Sequence, residues 1–222
     1  MNIYMKFKGK HAKIEIYPER QRVFKTYQDP TYADNEYFAL CFLADQDIMD
    51  LKPRKESLFT ISLDFIQDAK SPDFTCKMDT ERFVGLLTRY LINLHRCSLQ
   101  NFGKYITHED IFPDNILICE KFGTLYFIDW GLSKKRESPY PDIASCALGV
   151  FNDDACLYEL FLEQYFGDFS KINFNLIDKY INDIYNECKS IRLENNFEIK
   201  SLDERFEKAK HIIQSIQTRR GL

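Results

Sequence analysis

Between His108 and Gly131 three polar residues stand at the ends of two short apolar runs, at spacings that few folds accommodate. Asp110 and Asn115 are five positions apart in His108-Glu109-Asp110-Ile111-Phe112-Pro113-Asp114-Asn115, and Asp129 follows Asn115 by fourteen, opening Asp129-Trp130-Gly131. The runs themselves, Asn115 to Cys119 and Thr124 to Ile128, are β-branched or aromatic and flank Lys121-Phe122-Gly123, whose glycine suits a hairpin turn. One polar residue precedes the hairpin and another follows it, so pairing the two strands brings Asn115 and Asp129 together.

These residue types share a chemistry. Phosphoryl transfer needs an acceptor hydroxyl held in line with the transferred phosphate, a carboxylate beside it, and metal ions that offset phosphate charge. Asp110 fits the carboxylate. The Asn115 amide oxygen and an Asp129 carboxylate oxygen are hard ligands of the kind that suit Mg²⁺ retained largely through phosphates and water. Mg²⁺ is therefore an expected cofactor, and a hydroxyl acceptor, small molecule or protein, an expected partner. The ordinary alternative for each residue is a turn or cap, the default for an Asp near Pro.

Chain-wide properties bound that reading. A length of 222 residues suits one medium domain or two small lobes sharing a cleft. A net charge of −4 argues against a broad nucleic-acid footprint. Seven cysteines are scattered singly with no C-x-x-C pair, which argues for reduced core thiols and against a zinc site. Met1 to Lys6 resembles no signal or transit peptide, and no apolar run approaches membrane-spanning length. The expected setting is a reducing cytosol, either that of the cell of origin or that of a host into which the protein is delivered.

The first third alternates as strands do: Lys13 to Tyr17, a turn at Pro18-Glu19-Arg20, then Arg22 to Tyr27. A helix is predicted from about Tyr32 to Ala44, starting at Asp34-Asn35, with Phe38, Leu40, Cys41 and Leu43 facing inward. Ser57 to Ile66 reads as a further strand, and the polar joint Gln67 to Asp73 marks a lobe boundary. Beyond it, with Asp79 as N-cap, Phe83, Leu86, Leu87, Tyr90, Leu91 and Leu94 form one helical face. Helices are predicted over Ile143 to Phe151, Ala155 to Phe166, Asn175 to Arg192 and Ser201 to Gln217. The expected fold is α+β and two-lobed, with a reduced β-rich N-terminal lobe (1–68) that covers the nucleotide and a mainly helical C-terminal lobe (69–222) that carries catalysis and substrate.

With these residues in place, the chain resembles the protein-kinase-like superfamily. His108 to Asn115 is similar to the catalytic-loop pattern H-x-D-x-x-x-x-N and Asp129 to Gly131 to D-F-G, with Trp130 in place of Phe. Trp130 and the short stretch to Pro141-Asp142-Ile143-Ala144 resemble the aminoglycoside and choline kinases. Asp142-Ile143 with Leu148-Gly149-Val150 also resembles a protein-kinase helix, and compact atypical protein kinases likewise lack an activation segment. The resemblance implies that ATP is the nucleotide partner, Asp110 is catalytic, Asn115 and Asp129 hold metal, Lys25 and Glu36 form the pair that orients the nucleotide phosphates, and His108 and Asp142 brace the catalytic loop.

It also implies a hinge at Leu63-Asp64-Phe65-Ile66, Asp64 included, whose backbone recognises adenine, and a phosphate-covering loop around Gly9. The glycine-rich pattern itself is depleted, because Gly9 is the only glycine before Gly85. Phe112 stands where protein kinases carry a lysine, which favours a small-molecule acceptor over a protein. Lys134-Lys135-Arg136 reads as a solvated loop or as a contact for an anion. The other functions open to such a chain are an atypical serine/threonine protein kinase, a nucleotide-binding pseudokinase acting as an interaction module, and a helical binding protein whose motif is accidental.

Overall fold

The alternating segments of the first third pair as an antiparallel meander in the computed structural model, which describes residues 5–8, 12–72, 77–119, 123–152, 154–194 and 198–222. Strands β1 (Met5–Lys8), β2 (Ala12–Tyr17) and β3 (Arg22–Tyr27) are consecutive neighbours, and Ile14 lies opposite Lys25. Helix α1 (Pro30–Asp45) follows, then β4 (Arg54–Lys55) and β5 (Thr60–Asp64), which complete a sheet of order β1-β2-β3-β5-β4. The predicted strand over 57–66 is shorter than expected because Ser57 and Thr60 close a turn on each other, their backbone groups exchanging hydrogen bonds.

Helix α1 begins two residues before its predicted span and four before the candidate start at Asp34-Asn35. Asp29 caps it by accepting a hydrogen bond from the Thr31 backbone N–H at 2.8 Å, and Pro30 occupies the first turn. A proline there loses no hydrogen bond and is already set to a helical φ, which makes Asp29-Pro30 a stronger start than Asp34-Asn35. In the resulting register Ala33, Glu36, Leu40 and Leu43 face inward at spacings of three and four. Phe38 is consequently 40% exposed, resting against Phe102 at 5.7 Å, and Cys41 is half-buried. Cys119 and Cys146 are the fully buried thiols among the described residues, so the expectation that most cysteines are core thiols is corrected: Cys156 is exposed, Cys41, Cys97 and Cys188 are half-buried, and Cys76 lies outside the described residues.

The second lobe is built on α2 (Lys77–Phe102), whose Phe83, Leu87, Tyr90, Leu91 and Leu94 are buried as their spacing predicts. The helix starts at Lys77, which places Asp79 within its first turn and not at the cap. Before α2, β6 (Ala69–Lys70) pairs with β8 (Ile116–Cys119), and β8 forms the predicted hairpin with β9 (Thr124–Phe127). Between the two sheets the Phe65 backbone N–H donates to the Gln21 carbonyl, Ala69 lies opposite Cys119, and Asp68 adopts φ 61°. A two-stranded ribbon joins β7 (Tyr105–Thr107) to β10 (Lys134–Arg136), so the segment read as a solvated loop is a strand. Helices α3 (Tyr140–Gly149), α4 (Ala155–Phe166), α5 (Phe174–Glu194) and α6 (Lys200–Arg220) complete the lobe around Trp130, Tyr158 and Phe161. Helix α3 starts three residues before its expected position, with Pro141 again in the first turn.

Candidate active site

The stretch from His108 to Phe112 contains little regular structure, so its backbone groups need partners elsewhere. Helix α3 supplies them from one face. Asp142 Oδ1 accepts from the backbone N–H groups of both His108 and Glu109 at 2.8 Å, and Ser145 Oγ accepts from Ile111 at 2.8 Å. One turn further, Gly149 lets the helix touch the loop, because a Cβ there would lie 2.1 Å from the Ile111 carbonyl oxygen. Asp142 is 0% exposed, and its second oxygen pairs with His95 Nε2 at 3.0 Å, while His95 Nδ1 meets the Tyr165 hydroxyl at 2.7 Å. A buried carboxylate with this many donors is both satisfied and fixed.

His108 braces the loop from the other side. Its Nε2 lies 2.9 Å from the Ile128 carbonyl, which can only accept, so that nitrogen carries the proton and Nδ1 accepts from the Asp110 N–H at 3.3 Å. The ring packs against Trp130 at 4.5 Å, and Trp130 Nε1 donates to the Phe127 carbonyl at 3.0 Å. Asp110 is thereby held half-buried at the loop's edge. Asn115 Nδ2 donates to the Asp110 backbone oxygen at 2.9 Å and to its Oδ2 at 2.8 Å. With its nitrogen committed, Asn115 has the amide oxygen left for a cation.

Asp129 follows β9 in the left-handed region, φ 66° and ψ 59°, and its side chain is exposed. A non-glycine residue rarely adopts that conformation, and such strain concentrates at functional positions. The hairpin brings it to Asn115, since the Ile128 N–H donates to the Asn115 carbonyl at 2.9 Å. From above, Lys25 on β3 reaches Glu36 on α1 at 2.8 and 3.1 Å and lies 3.8 Å from Asp129 Oδ1. Helix α1 is docked on the Asp129 turn by Asn35 Nδ2, which donates to the Gly131 carbonyl at 3.1 Å, and by the Trp130 N–H, which donates to the Glu36 carboxylate.

Lys25 and Glu36 are 4% and 0% exposed. Burial works against the lysine's charge, but the Glu36 and Asp129 carboxylates outweigh it and hold the Lys25 pKa above the ordinary lysine value. Burial raises the Glu36 pKa as well, opposed by Lys25.

Glu109, the residue before Asp110, was not marked by sequence reasoning. It sits at φ 63° and is held by Arg136 in a two-point contact, Nε to Oε1 at 2.5 Å and Nη2 to Oε2 at 2.7 Å. Thr107 Oγ1 donates to it at 2.7 Å, and Lys134 Nζ lies 3.4 Å away. Burial acts to raise the Glu109 pKa, yet the Arg136 and Thr107 hydrogen bonds and the Lys134 charge hold it below the usual glutamate value. Lys134 and Arg136 thus clamp the loop carrying Glu109 and Asp110 to the segment leaving Asp129, instead of forming the anion contact the sequence suggested.

Asp64 accepts from Arg22 Nη1 at 2.6 Å and from the Lys52 N–H at 3.1 Å, so its carboxylate ties β3 to β5. Gly9 lies outside the described residues. Among the described residues no group of three His, Cys, Asp or Glu side chains could hold a metal ion. Asn115 and Asp129 offer two hard oxygens, which fits Mg²⁺ only in the manner it commonly adopts, with phosphate oxygens and water completing an octahedron.

A small antiparallel sheet with a glutamate-bearing helix, set over a helical lobe that carries a braced Asp–Asn loop and a D-x-G turn, defines a protein-kinase-like fold. Solved structures share it. The chain is similar to the choline kinase LicA from Streptococcus pneumoniae, with 17% identity and a TM-score of 0.66 over 97% of this chain and 95% of that one. A choline/ethanolamine kinase family protein from Mesorhizobium loti gives 12% identity and a TM-score of 0.67 over 94% and 87%. An ethanolamine kinase from Plasmodium vivax gives 13% and 0.55 over 94% and 81%. No protein-family model and no curated protein matches the sequence.

Proposed function

We propose that this chain is a kinase that moves the γ-phosphate of ATP to an alcohol hydroxyl, with a small-molecule acceptor. The observation that carries this reading is the convergence of Lys25 on β3, Glu36 on α1, the loop carrying Asp110 and Asn115, and Asp129 after β9, four segments that meet through the Lys25–Glu36 and Lys25–Asp129 contacts and the hairpin bond between Ile128 and Asn115. Lys25, oriented by Glu36, binds nucleotide phosphates; Asn115 and Asp129 hold Mg²⁺, which when bound offsets phosphate charge; Asp110 aligns the acceptor hydroxyl and takes its proton. The backbone beyond Asp64 recognises adenine in this reading, as the resemblance to the family's hinge implies. Residues 1–68 cover the nucleotide, and 69–222 supply catalysis and the acceptor site.

The lean to a small molecule rests on the short run from Asp129 to α3, which begins at Tyr140 and leaves little platform for a peptide. The choline and ethanolamine kinases among the structural neighbours, one of them described in complex with AMP, support the same lean. ADP release from ATP and Mg²⁺ in the presence of pooled metabolites tests it. Asp110→Asn is expected to lower kcat by about 10²- to 10⁴-fold while leaving the KM for ATP within a few-fold. If ATP with Mg²⁺ raises Tm but wild type and variant turn over equally slowly, the chain is a nucleotide-binding module instead. Labelling of serine in added protein under conditions where no metabolite reacts would assign it to the protein kinases.

A further inference from the structure

Arg205, on α6, reaches the catalytic loop from the C-terminal end of the chain. Its Nη1 donates to the Gly149 carbonyl at 3.1 Å, and its guanidinium lies 5.7 Å from the centre of the Phe112 ring. Phe112 is two positions beyond Asp110, and Gly149 is the residue on which the Ile111 carbonyl rests. Arg205 is half-buried beside the catalytic loop, and among the described residues no carboxylate lies within ion-pair distance of it.

Neighbouring cations are differently placed. Arg136 and Lys134 are committed to Glu109, Lys189 to Asp203 and Lys210 to Asp178. A guanidinium has five N–H donors, and one carbonyl uses one of them. Among the described residues a neutral anchor and an aromatic face orient Arg205 with no carboxylate to neutralise it, which leaves a fixed, planar donor set suited to a carboxylate or phosphate.

The same contacts disfavour a cationic acceptor. A quaternary ammonium group is recognised by open aromatic faces. Here the Phe112 face carries Arg205, and on α5 and α6 Tyr180 carries Lys179 at 4.5 Å, Tyr185 carries Lys189 at 5.0 Å, and Phe206 carries Lys210 at 5.8 Å. Tyr185 and Phe206 are moreover stacked on each other at 4.2 Å. An incoming ammonium beside Phe112 would meet a guanidinium already there.

We propose that the acceptor bears a carboxylate or phosphate as well as its hydroxyl, and that Arg205 holds this anionic group on the acceptor side of Asp110. This rests on the kinase reading given above. In the step it serves, the acceptor oxygen bonds to the γ-phosphorus as the bond from that phosphorus to the β,γ-bridging oxygen breaks. ADP leaves with that electron pair, and the hydroxyl proton passes to Asp110.

The test is ADP release by wild type and Arg205→Met with ATP and Mg²⁺. The acceptor panel comprises hydroxy acids (glycerate, lactate), phosphorylated alcohols (glycerol 3-phosphate, glucose 6-phosphate), neutral glycerol, choline and ethanolamine. Turnover is expected with an anionic acceptor in preference to glycerol, choline and ethanolamine, and whether hydroxy acids or phosphorylated alcohols react identifies the anion. Arg205→Met is expected to raise that acceptor's KM about 10- to 100-fold, as for a lost charge-assisted hydrogen bond, with the KM for ATP unchanged and Arg205→Lys intermediate. Preferential turnover of choline, ethanolamine or glycerol overturns the inference. So does an Arg205→Met enzyme whose Tm falls while its acceptor KM stays put, the mark of a helix strut alone. ATP hydrolysis that Asp129→Ala abolishes and no anionic acceptor stimulates overturns the acceptor inference and leaves the kinase reading standing. Absence of any Asp129-dependent ATP turnover overturns both.

Discussion

Lys25 separates stability from function more cleanly than any other residue of the site. Its pair with Glu36 is buried, so Lys25→Met strands a carboxylate in the interior and is expected to cost about 3–5 kcal/mol in chemical denaturation. Replacing both partners, as in Lys25→Met with Glu36→Leu, is expected to recover most of that loss, because buried ion pairs seldom outperform apolar groups of similar volume. On the kinase reading proposed above, nucleotide-dependent activity is expected not to return with it. At Gly149 the constraint is purely steric. Gly149→Ala sets a methyl against the Ile111 carbonyl, and the expected outcome is a loss of about 2–4 kcal/mol in urea titration, with the catalytic loop displaced. Glycine's role there is invisible in the chain itself, since Gly149 lies inside a helix at a position where alanine would be the better helix former.

At the scale of elements, α3 acts as a template for the loop from His108 to Phe112, and the β7–β10 ribbon acts as its clamp. Glu109 occupies a conformation unusual for glutamate, and Arg136 compensates. Because the folded pKa of Glu109 is depressed, the pair contributes stability above the ordinary glutamate value near 4.5 and loses it as pH falls through the lower folded value. Arg136→Met, at a partly exposed guanidinium, is expected to cost about 1–3 kcal/mol at pH 7, the difference from wild type shrinking as pH falls below 4.5. Denaturation midpoints at pH 3, 4, 5 and 7 measure it.

The loop from His108 to Asn115 and the hairpin after it were legible as structure because their signal is local: Asp110, Asn115 and Asp129 are related by a turn and by strand pairing over a few residues. The Lys25–Glu36 pair was legible only through the resemblance. Glu109–Arg136 and Arg205–Phe112 were not, since nothing in Lys134-Lys135-Arg136 or in α6 says which distant residue its charges meet. The start of α1 was misplaced because two candidate caps stand five residues apart, and proline, more than either aspartate, decides between them.

Across the whole molecule, β3, α1, the loop from His108 to Asn115 and the turn at Asp129 are brought together, and no helix among the described residues is long and apolar enough to cross a membrane. The two-lobed α+β architecture follows from the early strands, the later helices and the polar joint between them. The joint carries one more implication. Phe65 is hydrogen-bonded to the residue before β3 and Ala69 is paired with β8, which leaves Ile66, Gln67 and Asp68 as the only backbone between the two anchors. If both anchors hold, relative movement of the two sheets is absorbed by the torsions of that trio, and on the kinase reading proposed above the trio is expected to set how fast spent nucleotide leaves. Two glycines inserted between Gln67 and Asp68 should therefore quicken ADP departure in stopped-flow fluorescence several-fold, with Lys25, Asp110 and Asp129 untouched.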